Sequence, residues 1–384
     1  MKTQQGFYLL KWFFVFTLLI PACAPTGISS TPASVTAATT PPTTVPTAPR
    51  PPGHLETALS LIPENTELFS FTDWSLIKKY KNQEKLNGQS SMEDKVAFLL
   101  STTKDQAAAS CQSCQYIQLF WDNWGWDTLD LEWEASSGMT TLAQFRDDFD
   151  LAIIEKKFEE RGFSKTEYQG VPVYTHKLDA SQDWMHLSLP ILNTAVLSRQ
   201  NILIMSSIPG NLNAVLDVYA GKAGAFGNDS AVKSLVGAIG EMASMKILPG
   251  KTSCIFPGVQ GGAMTPEQVQ TQEANSKWLE QQGLKKYQAF SLGYRYDANQ
   301  LSAFIGFSYA DAATAQADLE GRRKVMAEGI SLVWRKPYRT SLFIVVEANV
   351  IDNVLLIKVD PLNSLPRRLF TAVDSRDLGF AACP

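Results

Sequence analysis

The chain predicts an α+β fold, with antiparallel sheets and helices packed on them. Three observations carry that reading. Short alternating segments such as residues 67–71 and 129–134 have the two-residue period of half-buried strands, whereas Val232, Leu235, Val236, Ile239 and Met242 follow the helical period. The order strand, tight turn, strand, helix occurs twice, over residues 193–220 and 287–328, and reads as a duplicated strand–strand–helix unit. The regular strand–helix–strand alternation of a parallel sheet is missing from the pattern.

Taken in order, the chain opens on Lys2 and Lys11, an apolar run over residues 12–20 and then small residues, the layout of a secretory signal. The run is about half of the roughly 20 residues that span a bilayer, so it is too short for a permanent membrane helix. Its end, Leu18-Leu19-Ile20-Pro21-Ala22-Cys23, resembles a bacterial lipobox, with Ile20 and Ala22 in the aliphatic and small positions ahead of the cysteine. Pro21 departs from the usual Ala, Ser or Thr. Ordinary cleavage after Ala22-Cys23-Ala24 would put Pro25 just past the cut, where a fixed φ and a missing N–H suit a peptidase poorly. The resemblance implies that a signal peptide (residues 1–22) is removed. Cys23 then carries a thioether-linked diacylglycerol and an N-acyl chain. Each buried methylene contributes about 0.8 kcal/mol, and more than one chain makes such a membrane anchor stable. The implied address is the extracytoplasmic side of a membrane in the bacterial envelope.

Residues 23–53 are almost entirely Thr, Pro, Ser and Ala, with Arg50 as the single charge. Such a segment buries too little apolar surface to offset its ordering entropy and is expected to be a disordered tether. At about 3.1 Å per residue its upper reach is on the order of 90 Å. Beyond it, residues 54–250 and 251–384 are expected as two α+β domains, the boundary placed in the Gly- and Pro-rich stretch 248–264.

Composition narrows the function. Formal net charge is −4, and removal of Lys2 and Lys11 makes the mature chain more acidic by two charges. Mild acidity with no basic tract argues against nucleic acid as a partner and against electrostatic binding to anionic lipid. Four cysteines follow Cys23: Cys111, Cys114, Cys254 and Cys383. An even number in an exported chain points to disulfides, and of three connectivities Cys111–Cys114 with Cys254–Cys383 is favoured.

Along the body, residues 67–71 read as a strand and Asp73 as the cap of a short helix through Trp74, Ile77 and Tyr80. A weak helix lies near residues 95–100, a strand over 116–121, and a second strand over 127–134 whose Asp130, Glu132 and Glu134 form an acidic outer face. Asp150 opens a helix carrying Leu151, Ile154 and Phe158, closed by Gly162. Strands follow around Gly170. A hairpin over residues 193–207 turns at Arg199-Gln200-Asn201, and a helix covers 211–219. Thr265-Pro266-Glu267-Gln268 is a capping box for a helix that ends before Gly283. A hairpin over 287–309, a helix over 312–328 and strands at 342–347 and 354–359 complete the series. Ile62-Pro63-Glu64-Asn65-Thr66 ahead of a strand, together with residues 168–174, is similar to exported bacterial proteins of unknown function; that resemblance implies no activity.

Candidate chemistry concentrates in residues 121–134. Trp124 and Trp126 flank Gly125 in an expected turn, with Asp122 and Asp127 beside them; exposed indoles stack on sugar faces and carboxylates bond hydroxyls, so these four form a candidate glycan site. The same stretch, Asp122 to Glu134, could supply the carboxylate pair of a glycan- or cell-wall-acting hydrolase. It lacks the spacing of a calcium loop. Cys111-Gln112-Ser113-Cys114 has redox spacing, but an expected strand after it favours a structural bridge. His54, His176 and His186 lack metal-ligand spacing. Gly250-Lys251-Thr252 lacks the first glycine of a phosphate loop, and the Ser-x-x-Lys matches at Ser75 and Ser101 lack their companion motifs. No cofactor and no metal are expected. The sequence therefore favours a non-catalytic binding module, its partner an envelope protein or a glycan.

Overall fold

The computed structural model describes residues 52–105, 108–111, 113–114, 117–177, 189–254, 265–297, 300–362 and 367–383. Cys23, the signal segment, the tether up to residue 51 and His186 lie outside them. The described part is α+β. Twelve strands form one sheet in the order β11-β12-β10-β9-β8-β1-β2-β3-β7-β6-β5-β4. In chain order they are β1 (Phe69–Asp73), β2 (Leu131–Ser137), β3 (Thr140–Phe145), β4 (Ser164–Tyr168), β5 (Val171–Thr175), β6 (Asn193–Leu197), β7 (Ile202–Ser206), β8 (Ser244–Pro249), β9 (Ala289–Asp297), β10 (Gln300–Ser308), β11 (Phe343–Ile351) and β12 (Val354–Pro361). Every pairing is antiparallel. The boundary placed at residue 250 falls between β8 and β9, which are hydrogen-bonded neighbours, and residues Pro51–Pro384 form one compact unit.

Strand period fixes which side chains share a face. On one face Phe69, Phe71, Trp133, Ala135, Leu142, Met245 and Ile247 pack under α1 (His54–Leu61), α6 (Pro209–Tyr219) and α7 (Ser230–Ile239), through Leu55, Leu59, Leu212, Leu216, Val232 and Leu235. The opposite face carries two separate apolar clusters. One spans β9, β10 and β12 beneath α10 (Ala312–Glu328) and α12 (Arg367–Asp374); the other spans β2, β3 and β7 beneath α2 (Trp74–Tyr80), α3 (Met92–Asp105), α4 (Ile117–Trp124) and α5 (Ala152–Glu160). Both strand–strand–helix units exist, as β6-β7-α6 and β9-β10-α10. Their helices settle on opposite faces, so the second unit does not repeat the packing of the first.

Local signals placed several elements well. Asp73 Oδ1 accepts from Leu76 N at 2.8 Å at the start of α2, as a helix cap should. Gly162 follows α5 with φ of 75°, the left-handed conformation that glycine reaches without a side-chain clash. The strand expected over 116–121 is instead the helix α4: Ile117, Phe120 and Trp124 recur at helical spacing and are its buried residues. The strand expected from Asp127 begins later, at Leu131, after a single 3-10 turn over Thr128–Asp130.

Cys111 is bonded to Cys114 and Cys254 to Cys383, the favoured connectivity. The second bridge is one of three ties on the C-terminal tail. Arg322 of α10, fully buried, donates to Asp318 Oδ2 at 2.8 Å, to Ala382 O at 2.7 Å and to Phe380 O at 3.3 Å. Tyr287 Oη donates to Ala381 O at 2.6 Å, and burial pushes its phenol up to about 12. Two disulfides suit an oxidising compartment outside the cytoplasm. Among the described residues no helix is long and apolar enough to cross a membrane.

Candidate functional site

The expected aromatic and acidic site is dismantled by the fold. Trp124 and Trp126 are each 1% exposed, not turned outward. Trp126 sits edge-on between Phe120 and Phe145, with ring centroids at 5.2 and 5.3 Å, and Trp124 packs edge-on against Phe163 at 5.8 Å. Their area is worth more buried than stacked on a ligand. Asp127 is buried as well. Of the expected acidic outer face, Asp130 and Glu134 are buried and Glu132 is half-buried, so no solvated row of three carboxylates exists. Asp122 alone of the four glycan-site candidates is exposed, where it accepts from Gln118 Nε2 at 2.6 Å along α4.

Buried carboxylates need partners, and these have them. Lys95 of α3 donates to Asp127 Oδ2 at 2.8 Å and to the Gly88 carbonyl. Asp127 Oδ1 caps the 3-10 turn through Leu129 N at 2.8 Å. Asp130 accepts from Gly88 N at 2.8 Å and from Asp127 N at 3.1 Å, with Arg146 at 3.7 Å; burial still pushes its carboxyl above the ordinary value. Lys78 donates to the carbonyls of Leu129 and Leu131 at 3.1 and 3.2 Å, and burial lowers its pKa. Gly88 is required here by close approach, since a Cβ would meet Asp130 Oδ2 and the Trp121 ring at 2.2 Å. This network ties α2, α3 and the residue 86–90 loop to the start of β2. Its carboxylates are engaged in holding the fold, not in facing a substrate.

A different polar feature reaches the surface. Cross-strand register places Lys246, Ser70 and Ser136 in one row across β8, β1 and β2, and Ser244, Thr72 and Glu134 in the next. This polar seam separates the two apolar clusters of that face. It is roofed by the segment before Cys111, where Thr72 Oγ1 donates to Ser110 O at 2.8 Å and Ser110 Oγ donates to Glu134 Oε1 at 2.8 Å. From α12, Asp374 pairs with Lys246. One end of the seam opens into a cleft of about 410 Å³ whose walls include Thr66, Ser70, Ser136, Ser137, Asn211 and Arg376. Thr66 and Ser137 hydroxyls bond each other across it at 2.9 Å. Larger clefts of about 600 Å³ beside Lys251 and 740 Å³ beside Arg199 have no such floor. Among the described residues no group of three or more His, Cys, Asp or Glu is placed to hold a metal ion.

None of these cleft residues is among the site residues expected from the sequence: Ser70 and Asn211 enter there only as parts of a strand and a helix, and Thr66 as the last of the Ile62–Thr66 stretch. Serines and threonines scattered over strands carry no motif. Only strand register and the end of α12 bring them together.

At the opposite end of β1, where the tether meets the body, His54 Nδ1 lies 2.9 Å from Asp73 Oδ2. The Asp73 contact holds the imidazole above its ordinary pKa, against burial and with help from Glu132 and Glu241. A raised histidine pKa stabilises the fold fully below the unfolded value of about 6.5, and that contribution disappears as pH climbs through the folded value. Thermal unfolding between pH 6 and 8 should therefore show a decline in stability that His54→Asn flattens; equal slopes would remove His54 from the account.

No family model matches the chain, and no curated protein matches it. Among solved structures, crystal forms I, III and IV of TP0453 are similar to it, with TM-scores of 0.36, 0.34 and 0.37 and identities of 6%, 9% and 8%. These alignments cover 83%, 82% and 84% of this chain and 96%, 97% and 100% of the other. A likeness this distant says nothing about what the chain does.

Proposed function

We propose that the chain is a lipid-anchored extracytoplasmic protein of a bacterial envelope whose folded body binds an envelope component without catalysis. The lipobox-like residues Ile20, Ala22 and Cys23 support the anchor, and the Thr/Pro-rich tether and two disulfides fit that address. The observation that carries the non-catalytic reading is the commitment of Asp127 and Asp130 to buried caps and ion pairs. An acid–base pair for glycan cleavage needs two carboxylates flanking an open site. Among the described residues the cleft at the end of the seam has a single carboxylate, Glu67, beside hydroxyls, side-chain amides and a guanidinium, groups that recognise by hydrogen bonding.

Fractionation of a lipoprotein-processing bacterium tests the reading. Grown with labelled fatty acid, the native chain should sediment with membranes and carry the label, and Cys23→Ser should carry none. Equal labelling of the two, or no label on the native chain, would contradict the anchor.

A further inference from the structure

We propose that the cleft between the Thr66 loop and the end of α12 is a binding site for an acidic sugar, a polyhydroxylated ring bearing a carboxylate. The inference rests on the binding-module reading and names its ligand class.

The lining sets the class. Ser70 and Ser136 form the floor, Thr66 and Ser137 one wall, and Asn211, in the first turn of α6, another. Among the described residues no aromatic ring lines the cleft; Pro63, Leu68, Ala214 and Val215 give it an apolar side against which the C–H face of a sugar ring can lie, and hydrogen bonds and charge supply the polar recognition. Each hydroxyl both donates and accepts, which matches a ring of alternating hydroxyls. Glu67, exposed on the same wall, accepts from such a hydroxyl. A cleft of about 410 Å³ lies in the size range of small-ligand sites, roughly 300–1,000 Å³.

Arg376 sets the charge. It follows α12 with φ of 58°, a left-handed conformation that favours glycine or asparagine and penalises a long side chain. The surrounding turn enforces it: Arg376 N donates to Val373 O at 3.1 Å and Asp377 N to Ala372 O at 2.8 Å. Asp377 is itself fixed by Ser331 Oγ and by Leu332 N at 2.9 Å. An arginine held where glycine would be easier points to use of its side chain. One N–H of the fork goes to Thr252 O at 3.1 Å. Among the described residues no carboxylate lies within ion-pair distance of this guanidinium. Its remaining donors can take a ligand carboxylate in the paired geometry that arginine favours.

Calorimetric titration of the full-length Cys23→Ser chain tests the site with three probes: a glucuronate oligosaccharide, the matching glucose oligosaccharide and inorganic phosphate. The glucuronate oligomer should bind saturably, with the glucose oligomer at least tenfold weaker. Arg376→Gly should weaken glucuronate binding at least tenfold while leaving Tm unchanged or raised, because glycine relieves the left-handed backbone. Equal binding of the two sugars, undiminished binding by Arg376→Gly, or a marked fall in its Tm would overturn the assignment. Phosphate binding as tight as glucuronate would make this a simple anion site and end the sugar reading. A chain that still sediments with membranes through Cys23 but ignores all three probes loses this ligand class alone.

Discussion

Arg322→Met is expected to destabilise the body by about 3–5 kcal/mol, the usual consequence of removing one partner from a buried ion pair. Arg322 and Asp318 are both fully buried, one helical turn apart on α10. The guanidinium lies 4.6 Å from the centroid of Phe307 and bonds two carbonyls of the C-terminal tail. Methionine would fill the volume but leave the buried Asp318 carboxyl without its cation, with Tyr309 Oη and Lys285 N, the latter at 2.8 Å, as its remaining partners among the described residues. Removing both charges avoids that penalty, so Arg322→Met with Asp318→Leu should recover most of the loss. Chemical denaturation checks this. A double variant as unstable as the single would show that the tail carbonyls, not the buried carboxylate, carry the cost.

Loss of the Cys254–Cys383 bridge is the second large effect. The two residues are 129 apart in sequence, and in the chain-entropy model a loop of that size contributes about 4–5 kcal/mol. The Cys111–Cys114 ring is so small that the same relation gives about 2 kcal/mol. Paired serine substitutions should therefore lower the thermal midpoint more at Cys254 and Cys383 than at Cys111 and Cys114; the reverse order would mean that the tail is not the weak point. Because Arg322 and the disulfide hold the same residues, 380–383, their effects should be less than additive.

The uneven legibility of the sequence follows from where each kind of information resides. Hairpins, the Asp73 cap and the Gly162 stop are set by neighbours a few residues apart, and those features were readable. Residues 116–134 were not. An apolar run such as Tyr116–Trp121 suits strand and helix alike, and only the wider spacing of Ile117, Phe120 and Trp124 favours the helix. Alternation in Leu129 to Glu134 does not carry over into the sheet: Leu129 and Asp130 lie in a 3-10 turn, and a register shift between Leu131 and Trp133 sends those two side chains into apolar clusters on opposite faces. Lys78 and Lys95 come from earlier helices, and Ser110 from the segment before Cys111; together they turn the apparently solvated face into an interior. The polar seam was least visible of all, since Ser70, Ser136 and Lys246 become neighbours only through pairing of β8, β1 and β2. The expected glycan residues Trp124, Trp126 and Asp127 are therefore consumed by the core, while the cleft draws its polar groups from small side chains and one arginine in an unfavourable turn.

The most direct test of the envelope reading is the intact mass of the native chain purified from membranes, with sequencing of its first peptide. The account expects a polypeptide that starts at Cys23 and carries a diacylglycerol and an amide-linked fatty acid. A chain that begins at Ala24, Pro25 or Met1, or that bears no lipid, would contradict it.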